Sequence, residues 1–169
     1  MQFTYLAIAF AVLACVTDIR SRRIPNVLTF GAAICAAALH GFVTGGPGLA
    51  FSATGWLVGA ALFFPFFALG GLGGGDVKLL GAIGACLGGP IVLWVAMYAA
   101  VAGGVLAVFV ALRAGYLRAA LRNIYYFLTY WKTFGLKPID GFDLDNSQAP
   151  RLAYALPVLT GLLVTLWLQ

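Results

Sequence analysis

The chain has 169 residues, of which 63% are hydrophobic and only 9% charged, and its formal net charge is +5. Soluble domains carry about 25% charged residues, and a mean hydropathy of +1.00 leaves too little polar surface for a soluble globular protein and too much apolar content for a disordered one. Long continuous apolar runs also exclude an outer-membrane barrel, which needs alternation. What remains is one all-α, polytopic membrane domain over 1–169.

Taken in chain order, the apolar runs are Phe3 to Thr17, Val27 to Val43, Leu49 to Leu69, Val77 to Gly89, Ile91 to Leu112 and Leu152 to Leu168. They predict about six transmembrane helices. A span needs about 20 residues, so the first and fourth runs suffice only if each helix continues past the Asp at its edge, or if the membrane thins there. No basic stretch precedes the first run, which therefore reads as a retained span and not as a cleaved signal peptide. The three cysteines, Cys15, Cys35 and Cys86, lie in separate runs with no CxxC pair. No zinc signature, disulfide framework or cofactor motif is present.

An even number of spans puts both termini on one side. With the N-terminus outside, the inner loops hold Arg20, Arg22, Arg23, Lys78, Arg113, Arg118, Arg122, Lys132, Lys137 and Arg151, which are all ten basic residues. The positive-inside rule therefore predicts an N-out/C-out chain with its charged chemistry at the cytoplasmic face. The basic excess reports cytoplasmic loops and anionic lipid head groups, with no call for nucleic acid. Between the fifth and sixth runs, Arg118, Arg122, Thr129 and Lys132 share one face of a helical wheel, with Leu117, Leu121, Ile124, Phe127, Leu128 and Trp131 largely off it. This segment is expected to be a cytoplasmic interfacial amphipathic helix; the alternative is a prolongation of the fifth span. The stretch from Lys137 to Pro150 is polar and turn-rich, and is expected to be a solvated loop.

All five acids are Asp. Asp140, Asp143 and Asp145 fall in that late loop, with spacing that does not match an EF-hand. Asp18 ends the first run and Asp76 opens the fourth, so the topology places both at the cytoplasmic boundary. A carboxylate there is costly enough to call for a partner or a function. Two such acids brought close together cannot both ionise easily and share a proton. The pair then offers a carboxylate to activate water and an acid to protonate the carbonyl oxygen and the leaving amine, the logic of aspartic peptide hydrolysis. Gly73, Gly74 and Gly75, just before Asp76, leave room for a peptide backbone to approach.

Each feature also has a structural reading. Asp18 reads alternatively as an ordinary interfacial residue paired with Arg22 at i,i+4. The glycine run has a reading as a linker or a packing site, and Gly55-x-x-x-Gly59 and Gly84-x-x-x-Gly88 read as helix packing. His40, near the outer end of the second run with no partner ligand visible on that side, reads as a satisfied or interfacial histidine.

Asp18-Ile19-Arg20 followed by Arg22-Arg23-Ile24-Pro25-Asn26, and Gly73-Gly74-Gly75-Asp76-Val77-Lys78-Leu79-Leu80, together resemble the two motifs of the type IV prepilin peptidases, which are GxGD-type aspartic membrane endopeptidases. GxGD is shared with presenilin-like enzymes, but the PAL tripeptide of that group is absent. The resemblance implies an enzyme of the cytoplasmic (inner) membrane that removes the short basic leader from pilin precursors at the cytoplasmic face. Asp18 and Asp76 would be its catalytic pair, with no metal or cofactor. Arg20, Pro25, Asn26, Gly73, Gly74, Gly75 and Lys78 would shape the site or bind substrate, and Lys78 would meet an acidic residue early in the mature pilin or tune the pair. Larger members carry a cytoplasmic region with paired cysteines and also N-methylate the new terminus. This chain resembles the short form found with tight-adherence (Flp-type) pili, so its partners would be a prepilin and the lipid bilayer. Two other classes stay open at this stage: a small proton or cation transporter using Asp18 and Asp76, and a non-catalytic membrane assembly factor.

Overall fold

The computed structural model describes residues 2–69, 71–134 and 153–169. Among them all regular structure is helical: α1 (Gln2–Ser21), α2 (Asn26–Thr44), α3 (Gly46–Ala68), α4 (Gly74–Leu87), α5 (Gly89–Arg113), α6 (Leu117–Phe134) and α7 (Ala155–Leu168). The late polar loop, with Asp140, Asp143 and Asp145, lies outside the described residues.

Four helices, α1, α2, α3 and α5, are long and apolar enough to cross a membrane. The helices at the first and fourth runs do extend past their acids. α1 continues beyond Asp18 to Ser21, and α4 begins two residues before Asp76. Even so, α4 and α7 have only 14 residues each, about 21 Å at 1.5 Å per residue, against a hydrocarbon core of about 30 Å.

For α4 the reason is its position. From Asp76 to Leu87 every residue except Lys78 is buried, because α1, α2, α3, α5 and α7 all pack against it. A helix enclosed by protein does not have to match the bilayer thickness itself. The enclosure needs close backbone approach. α3 and α4 cross at Gly55 and Gly84, where a Cβ on either residue would run into the carbonyl group of the other. Gly59 lies against the Leu80 carbonyl and Gly81 in the same way. Both glycine pairs read as packing sites in the sequence therefore pack helices, by the small-residue mechanism of membrane proteins.

The helices alternate in direction, and two ends result. At one end the His40 ring stacks on Phe3 at 3.7 Å between centroids, tilts against Phe51 and places Nε2 3.1 Å from the Cys86 carbonyl oxygen. His40 is thus a satisfied histidine, as expected from sequence. The other end gathers the C-terminus of α1, the start of α2, the end of α3 and the starts of α4 and α7. α6 is a separate helix, not a continuation of α5. The turn Ala114–Tyr116 divides them, with Gly115 at φ 71°, and Leu121, Ile124, Tyr125 and Tyr126 stay exposed on α6.

A methyl group at the α3–α4 crossing is expected to force the helices apart at a cost of about 1–3 kcal/mol. Gly84→Ala should lower the melting temperature in detergent, whereas Gly31→Ala, in α2 with nothing within 4 Å of an added Cβ, should leave it unchanged or raise it slightly.

Candidate active site

Asp18 and Asp76 are the only acids among the described residues, and both are buried, with 7% and 8% of their surface exposed. They are 58 residues apart in sequence, but the alternation of α1, α2, α3 and α4 returns the chain to the same end. Asp18 lies on the last turn of α1 and Asp76 on the first turn of α4. Each carboxylate has a different backbone donor. Asp18 lies on the face of α1 that is buried with Ala11, Ala14 and Cys15, and its Oδ2 accepts a 3.2 Å hydrogen bond from the Ala155 N–H at the start of α7. Asp76, in the first turn of α4, accepts a 3.2 Å hydrogen bond at Oδ2 from the Gly73 N–H. Helix N-termini leave amide donors without intrahelical partners and favour negative charge, so each acid sits where a helix start can satisfy it.

The ion-pair reading of Asp18 does not hold. Among the described residues Asp18 makes no ion pair with Arg22. The Arg22 backbone leaves α1 in the left-handed region at φ 53°, and its side chain is exposed.

The glycines fit the corner tightly. Gly73 is the extended residue before α4, at φ −77° and ψ 145°, and a Cβ there would lie 3.1 Å from Asp76 Oδ2. A Cβ on Gly74 would come within 3.3 Å of the Phe67 ring, and one on Gly75 within 3.1 Å of Ile24 Cβ. The run is therefore not a spacer: it lets the first turn of α4 press against the end of α3 and the α1–α2 connection.

The remaining predicted residues divide. Pro25 is the extended residue before α2, and Asn26 opens that helix. Lys78 donates a 2.9 Å hydrogen bond from Nζ to Asn26 Oδ1, and the ammonium lies 5.4 Å from the centroid of the Phe30 ring. Two residues along a helix do not share a face, so Lys78 turns to α2 while Asp76 turns inward. The structure thus joins one residue of each sequence motif. Arg20 is exposed on the last turn of α1 and is not drawn into this cluster.

The sixth apolar run is legible in the sequence, but the contact of its start with Asp18 is not. The Asp18 donor is a backbone amide, which has no residue signature. The usable signals were a buried acid in want of a donor and the parity of spans that returns the last apolar run to the same end.

The Lys78–Asn26 bond should register as coupling between α2 and α4. A double-mutant cycle with Lys78→Met and Asn26→Leu, followed by thermal unfolding in detergent, is expected to show non-additivity of about 0.5–1 kcal/mol.

No curated protein and no solved structure matches this chain. The type IV leader peptidase family model matches residues 5–108, from the first turn of α1 to the last third of α5, so Asp18, Asn26, the glycine run, Asp76 and Lys78 all fall within it while α6 and α7 lie beyond. With well over half of its length matched, and with both motif acids buried at one end of the bundle, the chain belongs to the type IV leader peptidase family.

Proposed function

We propose that this protein is an aspartic prepilin peptidase, using Asp18 and Asp76 to remove the basic leader of Flp-type pilin precursors at the cytoplasmic face of the inner membrane. The observation that supports this reading is that two buried acids from separate motifs lie at one end of the helical bundle, each accepting a hydrogen bond from a backbone N–H. Family membership supports the peptidase class. The charge pattern supports the face. Arg20, Arg22, Arg23, Lys78 and Arg113 lie at the acid end of the helices, and α6, with Arg118, Arg122 and Lys132, leaves from the same end, as the positive-inside rule requires of a cytoplasmic surface. With its exposed Leu121, Ile124, Tyr125 and Tyr126, α6 has the composition of a helix lying among head groups.

In this reading the pair shares one proton. The ionised Asp takes a proton from a water molecule, whose oxygen attacks the scissile carbonyl carbon. The protonated Asp donates to the carbonyl oxygen as the tetrahedral intermediate forms. On collapse the C–N bond breaks: the Asp that took the water proton gives it to the leaving amine, and a hydroxyl of the tetrahedral intermediate returns its proton to the other Asp, which restores the singly protonated pair. The extended, side-chain-free backbone at Gly73 gives the scissile segment room beside Asp76. The apolar helix of the precursor stays in lipid, with its leader at the basic surface. Lys78, tethered to Asn26 at the rim, faces the early acidic residue of the mature pilin.

Coexpression with a Flp-type prepilin in a host lacking its own peptidase tests the proposal by the size of the pilin on a gel. Leader removal is expected with wild type and with neither Asp18→Asn nor Asp76→Asn, a loss of at least about a thousandfold, since a removed acid or base ends most of the acceleration. Cleavage that survives either change would overturn the two-acid mechanism. Gly73→Ala, which crowds Asp76 Oδ2, should cleave about tenfold or more slowly at an unchanged level of protein in the membrane. Lys78→Ala should weaken processing of a prepilin with an acidic residue early in its mature part; a wild-type rate would remove Lys78 from the substrate site.

A further inference from the structure

The start of α7 holds Asp18, and something must hold the start of α7. Its first residues follow directly on the long polar stretch, and Tyr154 precedes the helix without a side-chain cap. The Tyr154 ring does the anchoring. It meets Phe63 of α3 edge-on, with centroids 5.7 Å apart and planes at 75°. On the other side it fills the space left by Gly103 of α5, where a Cβ would lie 2.8 Å from Cε2 and Oη and 3.0 Å from Cζ. The next residue in the chain, Ala155, is fully buried and gives its N–H to Asp18 Oδ2. Two turns on, Gly161 brings α7 against Val95 and Ala99 of α5. The ring and this contact together press α7 against α5 at two points.

We propose that Tyr154 is a positioning residue of the acid pair: its ring, wedged at Gly103 and against Phe63, sets the start of α7 so that the Ala155 amide meets Asp18. The inference rests on the two-acid reading above and extends the site beyond the part of the chain that the family model matches. A carboxylate without its amide donor loses both orientation and the stabilisation of its charged form. A substrate bound by contacts elsewhere would still bind. The effect therefore belongs in kcat and not in KM.

The test uses full-length enzyme in detergent or liposomes with purified prepilin, measuring kcat and KM together with the melting temperature. Tyr154→Ala is expected to lower kcat about tenfold or more, the size of a lost charge-assisted hydrogen bond, with KM within about twofold. Tyr154→Phe keeps the ring and should restore kcat to within about threefold of wild type. Gly103→Ala, which displaces the ring without touching either acid, should reproduce the kcat loss, and Gly104→Ala, with nothing within 4 Å of its added Cβ, should not. Wild-type kcat in both Tyr154→Ala and Gly103→Ala would overturn the inference, as would a loss confined to KM or to melting temperature. If Tyr154→Ala does not accumulate, the Gly103→Ala and Gly104→Ala pair decides alone. Asp18→Asn runs alongside: its inactivity with an unaffected Tyr154→Ala rejects only the positioning role, whereas cleavage by Asp18→Asn rejects the two-acid reading itself.

Discussion

The enclosure of α4 is the constraint from which the rest of the arrangement follows. A 14-residue helix with a carboxylate in its first turn and a lysine two residues later is a poor membrane span by itself. Surrounded by five other helices, it does not have to be a good one. The surrounding becomes possible at Gly55 and Gly84, where two backbones touch with no side chain between them. Without that approach α3 would stand off by the width of a side chain, and the buried face of α4 from Asp76 to Leu87 would open. Dispersion between closely packed backbones and small side chains replaces the hydrophobic drive that lipid does not supply.

Enclosure has a consequence for the acids. Burial disfavours a charge without partners, and Asp18 and Asp76 each meet it with a backbone amide at a helix start. Such donors are fixed by the helices that carry them and need no reorganisation when charge moves. The same solution ties the site to distant parts of the chain. Asp18 belongs to α1, its donor to α7 and the anchor of that donor to α3 and α5. The placing of both acids thus depends on helix positions set by glycine contacts elsewhere in the bundle.

The two sequence motifs are joined at the rim. Asn26 accepts from Lys78, Gly75 receives Ile24, and Gly74 lies beneath Phe67. Residues that read in sequence as substrate contacts thus also clamp the α1–α2 connection to the first turn of α4. Arg20 lies outside this clamp, on the exposed side of α1.

Much of this was legible from residues alone. Apolar runs follow from composition, because a helix in lipid must bond its own backbone and be apolar outside. The placing of every basic residue between alternate runs follows from charge bias, and from these two patterns Asp18 and Asp76 fall at one end. The glycine pairs were readable as packing sites because spacing by four puts them on one helix face. The division of α5 from α6 was legible from the change to an amphipathic pattern. Hydropathy could not show that α4 is an enclosed helix two turns short of a span, since an apolar run looks the same whether lipid or protein surrounds it. Nor could sequence show that Lys78 turns to Asn26, or that Asp18 is held by the amide of Ala155 behind the Tyr154 ring. Backbone donors carry no residue identity, and a contact across 137 positions exists only once the helices have packed. The sequence by itself determined which residues are costly in a membrane and at which end they lie; the tertiary structure alone decided what each of them touches, because partners are chosen by close approach and not by order along the chain.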